Sequence, residues 1–176
     1  SDLETSLAML LTEPLRIPGF VDKLHQLDLW LQDLISHDTD AALYQMFQRA
    51  SSTTVGYSAS HALICAGLCH VLARPLQLSQ EERDTLIHAA LTMNIGMTAL
   101  QNDLAQQRTP LSSQQSEAVK IHPMEGRLLL ERLRVSDPLW LETVQCHHVQ
   151  VPTAPLSHLQ PVQRLVHILG TVDRYA

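Results

Sequence analysis

The sequence is short of aromatic residues, glycine and charged residues. Aromatic residues make up 4% of the 176 positions, charged residues 17%, and only 6 residues are glycine. Strands favour aromatic and β-branched side chains, whereas a chain rich in Leu, Ala and Gln favours helices. Because 45% of the residues are hydrophobic, a core can form and a disordered chain is excluded. We therefore predict an all-α protein.

The chain also lacks an excess of positive charge and a long apolar run. Its formal net charge is -6, which argues against binding a nucleic-acid polymer through its phosphates. No apolar stretch approaches the roughly 18 residues that a membrane-spanning helix needs. The "LAMLL" segment near the start is too short for a signal peptide and has no basic flank. We therefore predict neither a membrane nor a nucleic-acid partner.

Cysteine is too scarce to form a disulfide framework. The 3 cysteines, an odd number, all lie among apolar residues, which suits a reducing cytoplasm. His61, Cys65 and Cys69 are spaced four residues apart on one helical stripe. This stripe is explained either by a thiolate–imidazole site or by small side chains in a core, and we favour the core.

Apolar spacing and helix-starting residues predict about eight to ten helices. Residues 21–35 have apolar positions three and four residues apart, residues 2–11 are apolar and helical in character, and a third apolar stretch spans residues 59–73. The last stretch is apolar on nearly every side, so we expect a central, buried helix. Further helices are expected to begin at positions with capping residues or proline: Asp38 or Thr39, Ser79 with Glu82 in capping-box spacing, Ser112, Pro123, the "SDPLW" segment and Val162.

Histidine is abundant, and its distribution follows an ordered pattern. The "SASHALICAGLCHVLA" segment contains His61 and is followed by "NIGMTAL", by "KIHPMEGRLLLERL", by "CHH" and finally by "VDRYA". In this order the segments resemble the HD-GYP branch of the HD phosphohydrolase superfamily, over residues 57–176. The resemblance implies an HD-domain-like helical bundle. No single segment is specific, but five in the same order favour this fold.

The resemblance also implies a set of metal ligands. Members of the family bind two or three Mn or Fe ions through imidazoles and carboxylates from separate helices, and they hydrolyse cyclic di-GMP. The matching positions in this chain are His61, His122, His147, His148 and Asp173.

The sequence departs from the family where the chemistry is most demanding. Met93 and Asn94 replace the His-Asp pair, Met97 replaces a lysine, and no Gly-Tyr-Pro follows the two adjacent histidines. A thioether binds Mn or Fe poorly, and an amide does not bridge two cations. We therefore predict no binuclear cluster and expect no cofactor. The alternative is a single Fe or Mn ion, bound either by the three later histidines or by His61 with Asp173.

Simpler explanations exist for the individual residues. His122 before Pro123 is also typical of a helix N-terminus, and the "CHH" histidines of a helix C-terminus. Met93 and Met97, four residues apart, are also explained as core filling. The histidines outside the pattern are interpreted as structural or surface residues: His25, His37, His70, His88, His158 and His167.

Two functions from different classes follow. The favoured hypothesis is a catalytically degenerate HD-GYP-like domain, a regulatory or interaction module of bacterial, cytoplasmic cyclic di-GMP-type signalling. Its partner would be another protein or a second copy. The alternative is a divergent metal-dependent phosphohydrolase that uses the surviving ligands. Cyclic-dinucleotide sensing without turnover is weaker, because few Arg or Lys residues fall near the expected pocket.

The resemblance divides the chain into two parts. Residues 1–54 are predicted to be an N-terminal helical extension that packs on the domain or forms a dimer face, and we favour packing. Residues 55–176 are predicted to be the HD-GYP-like domain, trimmed at its C-terminus if the chain is a piece of a longer protein.

Overall fold

The computed structural model describes residues 2–51 and 56–176, and all regular secondary structure in this part of the chain is helical, with no strand. The all-α prediction and the expected number of helices are confirmed. The described residues form nine α-helices: α1 Asp2–Thr12, α2 Phe20–His37, α3 Thr39–Ala50, α4 Tyr57–Ala73, α5 Gln80–Thr92, α6 Thr98–Gln106, α7 Ser113–Arg132, α8 Pro138–Cys146 and α9 Pro161–Tyr175. None of them is both long enough and apolar enough to cross a membrane.

Short turns and caps define where these helices begin. Three 3-10 turns connect helices: Pro14–Arg16, Ile95–Met97 and Leu156–His158. Asp38 caps α3 by accepting a backbone hydrogen bond of 3.0 Å from its first turn. Ser79 caps α5 in the same way, and Ser112 completes a capping box on α7. These predicted helix starts are confirmed.

Helix α4 is the central helix, as its apolar sequence predicts. It packs against α1, α3, α5, α6 and α9. Cys65 and Cys69 on this helix are fully buried in the hydrophobic core. A helix covered on most sides needs apolar residues around its whole circumference, which explains its sequence.

The N-terminal helices contribute to the same core as the rest of the chain. Helix α1 packs on α2 and α4, and α2 packs on α5. Leu7 of α1 and Leu24 of α2 are 0% exposed and belong to one hydrophobic cluster with Leu86 of α5. The predicted domain boundary between residues 54 and 55 lies outside the described residues and stays a prediction.

Helix α7 continues through Pro123, so the separate helix start predicted there is wrong. Proline has no N–H to donate to the carbonyl four residues earlier, which normally interrupts a helix. Here that carbonyl, of Val119, accepts a hydrogen bond of 2.5 Å from the ring Nδ1 of His122. The histidine ring therefore satisfies the backbone group that the proline leaves without a partner, and His122 lies inside a helix rather than at its N-terminus.

The Ile95–Met97 turn lies unusually close to α7. A Cβ atom added to Gly96 would lie 2.6 Å from the carbonyl oxygen of His122 and 2.7 Å from the backbone nitrogen of Gly126. No real side chain fits such distances, so glycine permits direct packing of backbone on backbone. This contact places the segment that contains Met93 and Asn94 against the helix that carries His122.

Candidate metal centre

The fold brings the five predicted ligand residues together from four places in the chain. His61 lies on α4, His122 on α7, His147 and His148 at the end of α8, and Asp173 on α9. They form two neighbouring groups. One group contains the three later histidines, and the other contains His61, Asp173 and the thiol of Cys65.

The group of three histidines is compact and open to solvent on one side. The ring centroids of His122 and His147 are 5.1 Å apart, those of His122 and His148 5.2 Å, and those of His147 and His148 4.1 Å. One ligand nitrogen from each ring lies within 4.8 Å of the others. His122 and His147 are buried, whereas His148 is exposed. An ion could therefore reach three imidazoles from the surface.

Backbone contacts fix the tautomers of the two buried rings. Nδ1 of His122 lies 2.5 Å from the carbonyl oxygen of Val119, and Nδ1 of His147 lies 2.6 Å from that of Val144. A carbonyl oxygen only accepts, so we assign the ring proton to Nδ1 in both cases. This second contact of each ring, to a backbone carbonyl, is the arrangement that metal-binding histidines commonly have.

The consequence is that two nitrogen lone pairs lie next to each other. In the neutral Nδ1–H tautomers the Nε2 atoms of His122 and His147 are both acceptors, and they lie 3.2 Å apart. Two lone pairs at this distance repel unless a proton or a cation lies between them. Two imidazole nitrogens bound to one ion at about 2.0–2.1 Å are about 3.0–3.4 Å apart. The geometry of the pair therefore fits a shared metal ion.

The local electrostatics keep these rings neutral at neutral pH. Burial, followed by the nearby His148, lowers the pKa of His147 to about 3. Burial is also the main reason why the pKa of His122 lies below its usual value. A histidine must be unprotonated to bind a metal, so rings that are already neutral are ready to bind. A shared proton between them is disfavoured for the same reason.

His61 and Asp173 satisfy each other instead. Nε2 of His61 lies 2.7 Å from Oδ1 of Asp173, and the Tyr57 hydroxyl lies 3.4 Å from Nδ1 of the same ring. With the hydroxyl donating to Nδ1, the Nε2–H donates to the carboxylate. Burial raises the pKa of Asp173, but the hydrogen bond and charge of His61, with His147 and His148, lower it further, so the net pKa lies below its usual value. An ionised carboxylate therefore adjoins the three histidines.

The thiols on α4 behave as core residues. Sγ of Cys65 lies 3.6 Å from Nε2 of His61, which is the contact expected from their spacing. Burial raises the pKa of both Cys65 and Cys69. Because the thiolate is the form that binds metal, this favours core packing over a thiolate–imidazole site.

The positions that differ from the family lie in and beside the core. Met93 is 1% exposed and belongs to the hydrophobic cluster, which confirms its interpretation as core filling. Asn94 follows it and begins the 3-10 turn, where its carbonyl oxygen accepts a 2.9 Å hydrogen bond from the backbone of the half-buried Met97. The cavity that Met93 and Asn94 line has a volume of only about 10 Å³. Met93 therefore contributes to core packing rather than to a metal site.

We compared the chain with family models, curated proteins and solved structures. None of them matches it. The interpretation as an HD-GYP-like domain therefore depends on the ordered sequence segments, and it stays a proposal.

A further group of possible ligands was missed by the sequence analysis. His25 and Asp28 of α2 meet His88 of α5, with one ligand atom from each within 4.8 Å of the others. The sequence analysis interpreted both histidines as structural or surface residues. The His-x-x-Asp spacing on α2 was the available signal, but it is common on helices. Only the packing of α2 on α5 brings His88 close to His25 and Asp28.

Proposed function

We propose that the chain is a catalytically degenerate HD-GYP-like domain that acts as a regulatory or interaction module in bacterial, cytoplasmic signalling of the cyclic di-GMP type. We further propose that it retains one metal site, formed by His122, His147 and His148, and that the ion is Fe or Mn.

Two features together support the proposal: Met93, at a position where the family has a ligand, lies in the core, and three histidines have a ligand arrangement. Met93 is buried among apolar residues, and the Nε2 atoms of His122 and His147 lie 3.2 Å apart with their protons directed away. Two dications without a bridging carboxylate would repel each other strongly at this range. One ion avoids this repulsion.

A bound ion would supply a fixed positive charge that links the middle of α7 to the end of α8. His122 would contribute from α7, while His147 and the exposed His148 would contribute from the end of α8. The carbonyls of Val119 and Val144 orient the two buried rings. Such a link supports a regulatory role, because it joins two helices without requiring a reaction.

An exposed apolar stripe on α7 supports the interaction role. Ile121, Met124 and Leu128 are 42%, 44% and 47% exposed. Their spacing of three and four residues places them on one face of the helix. Large apolar side chains grouped on a surface are typical of protein contacts. We therefore propose another protein or a second copy as the partner, with a cyclic dinucleotide as the weaker candidate.

The alternative function is a divergent metal-dependent phosphohydrolase. The exposed His148 and the ionised Asp173 beside the three histidines are the observations that favour it. Three protein ligands with an open position for water are typical of catalytic metal sites.

Metal content and turnover, measured on the same protein, distinguish the two functions. Tag-free protein is incubated with Mn²⁺ or Fe²⁺, desalted and analysed for metal, and hydrolysis of cyclic di-GMP is followed by chromatography. We expect His148→Ala to bind one ion fewer than the wild type, and His167→Ala, which replaces an exposed histidine on α9, to bind as many as the wild type. We expect no hydrolysis.

Two results, one on hydrolysis and one on metal content, would contradict the proposal. Hydrolysis that disappears in His148→Ala would establish the phosphohydrolase and refute the degenerate domain. Protein without metal, or protein whose metal content is the same in His148→Ala as in the wild type, would refute the three-histidine site. Circular dichroism of each variant confirms that it is folded.

A further inference from the structure

The contact between α2 and α5 contains a second set of ligand atoms, separate from the three-histidine site. His25 and Asp28 lie one turn apart on α2, and His88 faces them from α5. The three side chains place a carboxylate oxygen and two ring nitrogens within 4.8 Å of one another. The proposed function uses none of them.

Two buried polar atoms in this group have no hydrogen-bond partner among the described residues. Asp28 is 0% exposed. Its Oδ1 accepts a 3.0 Å hydrogen bond from Gln32, whereas its Oδ2 accepts none. Nε2 of His88 lies 3.4 Å from this Oδ2, which is within ion-pair distance, but the two atoms lack hydrogen-bond geometry. Buried polar atoms are nearly always satisfied, so this pair points to a ligand.

The group is rigid on its buried side and open on the other. The ring of His88 packs on Trp140 with centroids 5.0 Å apart, and its edge approaches the ring of His25 at 5.9 Å. His25 is exposed. Asp28 and His88 therefore have fixed positions, while His25 offers access from solvent.

We propose that His25, Asp28 and His88 bind a divalent transition-metal ion of the Zn²⁺ class. Two imidazoles and one carboxylate form a ligand set that suits Zn²⁺ better than Mg²⁺ or Ca²⁺, which prefer oxygen. Ligand atoms at about 2.0–2.2 Å from one ion lie about 3.3–3.6 Å apart in tetrahedral geometry. The observed 3.4 Å between Asp28 Oδ2 and His88 Nε2 agrees with this.

The neighbouring charges are compatible with a cation. The guanidinium of Arg83 lies 3.7 Å from Oδ1 of Asp28, on the carboxylate oxygen that Gln32 also contacts. Arg83 binds the carboxylate of Asp84 at 2.6 Å, which balances its charge. Gln32 and Arg83 thus orient the carboxylate through Oδ1 and leave Oδ2 directed at His88, as residues around a metal ligand commonly do.

Binding at this place would connect the N-terminal helices to the rest of the molecule. His25 and Asp28 belong to α2, whereas His88 belongs to α5 in the centre of the chain. An ion bound by the folded protein alone raises its stability. The site is therefore structural in its effect.

The test is a Zn²⁺ titration by isothermal calorimetry on the tag-free chain, with Co²⁺ absorption in the visible range as a second measurement. We expect two ions per chain in the wild type. His25→Ala should bind one ion, with the affinity of this site reduced at least about 100-fold, more than the usual loss of an orienting residue. His37→Ala, which removes an exposed histidine from the same helix, is the matched control and should bind two.

His25 is exposed, so its replacement leaves the buried Asp28 and Arg83 in place and the variant should fold. Without metal, His25→Ala and the wild type should have the same melting temperature. Added Zn²⁺ should raise the melting temperature of the wild type more than that of His25→Ala. If His25→Ala keeps the wild-type number of ions, affinity and Co²⁺ spectrum, the proposal is refuted. If His148→Ala binds as many ions as the wild type and His25→Ala binds one fewer, the three-histidine site is refuted and this site is upheld.

Discussion

At the scale of single residues, the position of the ring proton decides what each histidine can do. His122 and His147 donate through Nδ1 to backbone carbonyls, so their Nε2 atoms are free to bind a cation. His61 uses its Nε2 for Asp173 and is not free in the same way. The resemblance implies that all these histidines are metal ligands. Their hydrogen bonds separate them into His122 and His147, whose Nε2 atoms are free, and His61, whose Nε2 contacts Asp173.

His70 supplies a prediction about pH. Its Nδ1 accepts hydrogen bonds from the guanidinium of Arg83, and burial, followed by this positive charge, lowers its pKa below the usual value near 6.5. As the pH falls below that value, the unfolded chain takes up a proton that the folded chain does not. The free energy of unfolding should therefore decrease. Between pH of about 7 and about 5, the free energy of unfolding measured in urea should decrease less in His70→Gln than in the wild type.

The control for this experiment is His167→Gln, which removes an exposed imidazole without a contact to Arg83. Identical pH dependence in the wild type and His70→Gln would contradict the assignment of His70 as a neutral acceptor.

At the scale of elements, backbone contact between the Ile95–Met97 turn and α7 organises the region around the metal centre. Gly96→Ala would place a Cβ 2.6 Å from the His122 carbonyl oxygen. The atoms that it would meet are backbone atoms of α7, which cannot move aside easily, so we expect a loss of about 1–3 kcal/mol in the free energy of unfolding, as for other overpacked sites. Urea unfolding measures this.

Gly170→Ala is the matched control. Its Cβ would have only an ordinary contact of 3.7 Å, to the carbonyl oxygen of His147, and Gly170 lies inside α9. Alanine is a better helix former than glycine, so this variant should be neutral or more stable by up to about 1 kcal/mol. Equal losses in the two variants would show that the close approach at Gly96 has no special role.

The sequence predicts those elements whose determinants are local. Asp38, Ser79 and Ser112 begin helices as predicted, because a cap depends on residues within one turn. Pro123 was predicted to begin a helix by the same kind of rule, and this failed. The rule takes into account that proline lacks a backbone N–H. It does not take into account that the ring of the neighbouring His122 donates to the Val119 carbonyl in its place.

At the scale of the whole molecule, the arrangement of sites depends on contacts that no local pattern contains. The five ligand positions were found because a family order connects them. His25, Asp28 and His88 have no such order, and the 59 residues between Asp28 and His88 give no indication that they meet. The division of the five ligands into two groups likewise follows from tertiary packing of α4, α7, α8 and α9.

A core substitution tests whether the N-terminal helices unfold with the rest. Leu24 on α2 is 0% exposed and shares a cluster with residues of α5. Leu24→Ala should reduce the free energy of unfolding by about 2–5 kcal/mol, the usual cost of a cavity. The transition in urea, followed by circular dichroism and by tryptophan fluorescence, should remain single.

The comparison variant is Leu29→Ala on the same helix, where the side chain is 51% exposed. Its effect should stay within about 0.5 kcal/mol. A second, earlier transition in Leu24→Ala, with the main transition unchanged, would show that residues 1–54 form an extension that unfolds on its own.

The hydrogen bond from His122 to Val119 also affects how this sequence can change over time. Because Pro123 removes a backbone donor from the middle of α7, a histidine before it stabilises the helix whether or not an ion is bound. Mutation of His122 alone leaves the carbonyl of Val119 unsatisfied. Mutation of Pro123 alone restores a backbone N–H, which then competes with the His122 ring for the same carbonyl. The helix therefore needs the His-Pro pair as a unit, independently of any ligand that the histidine binds.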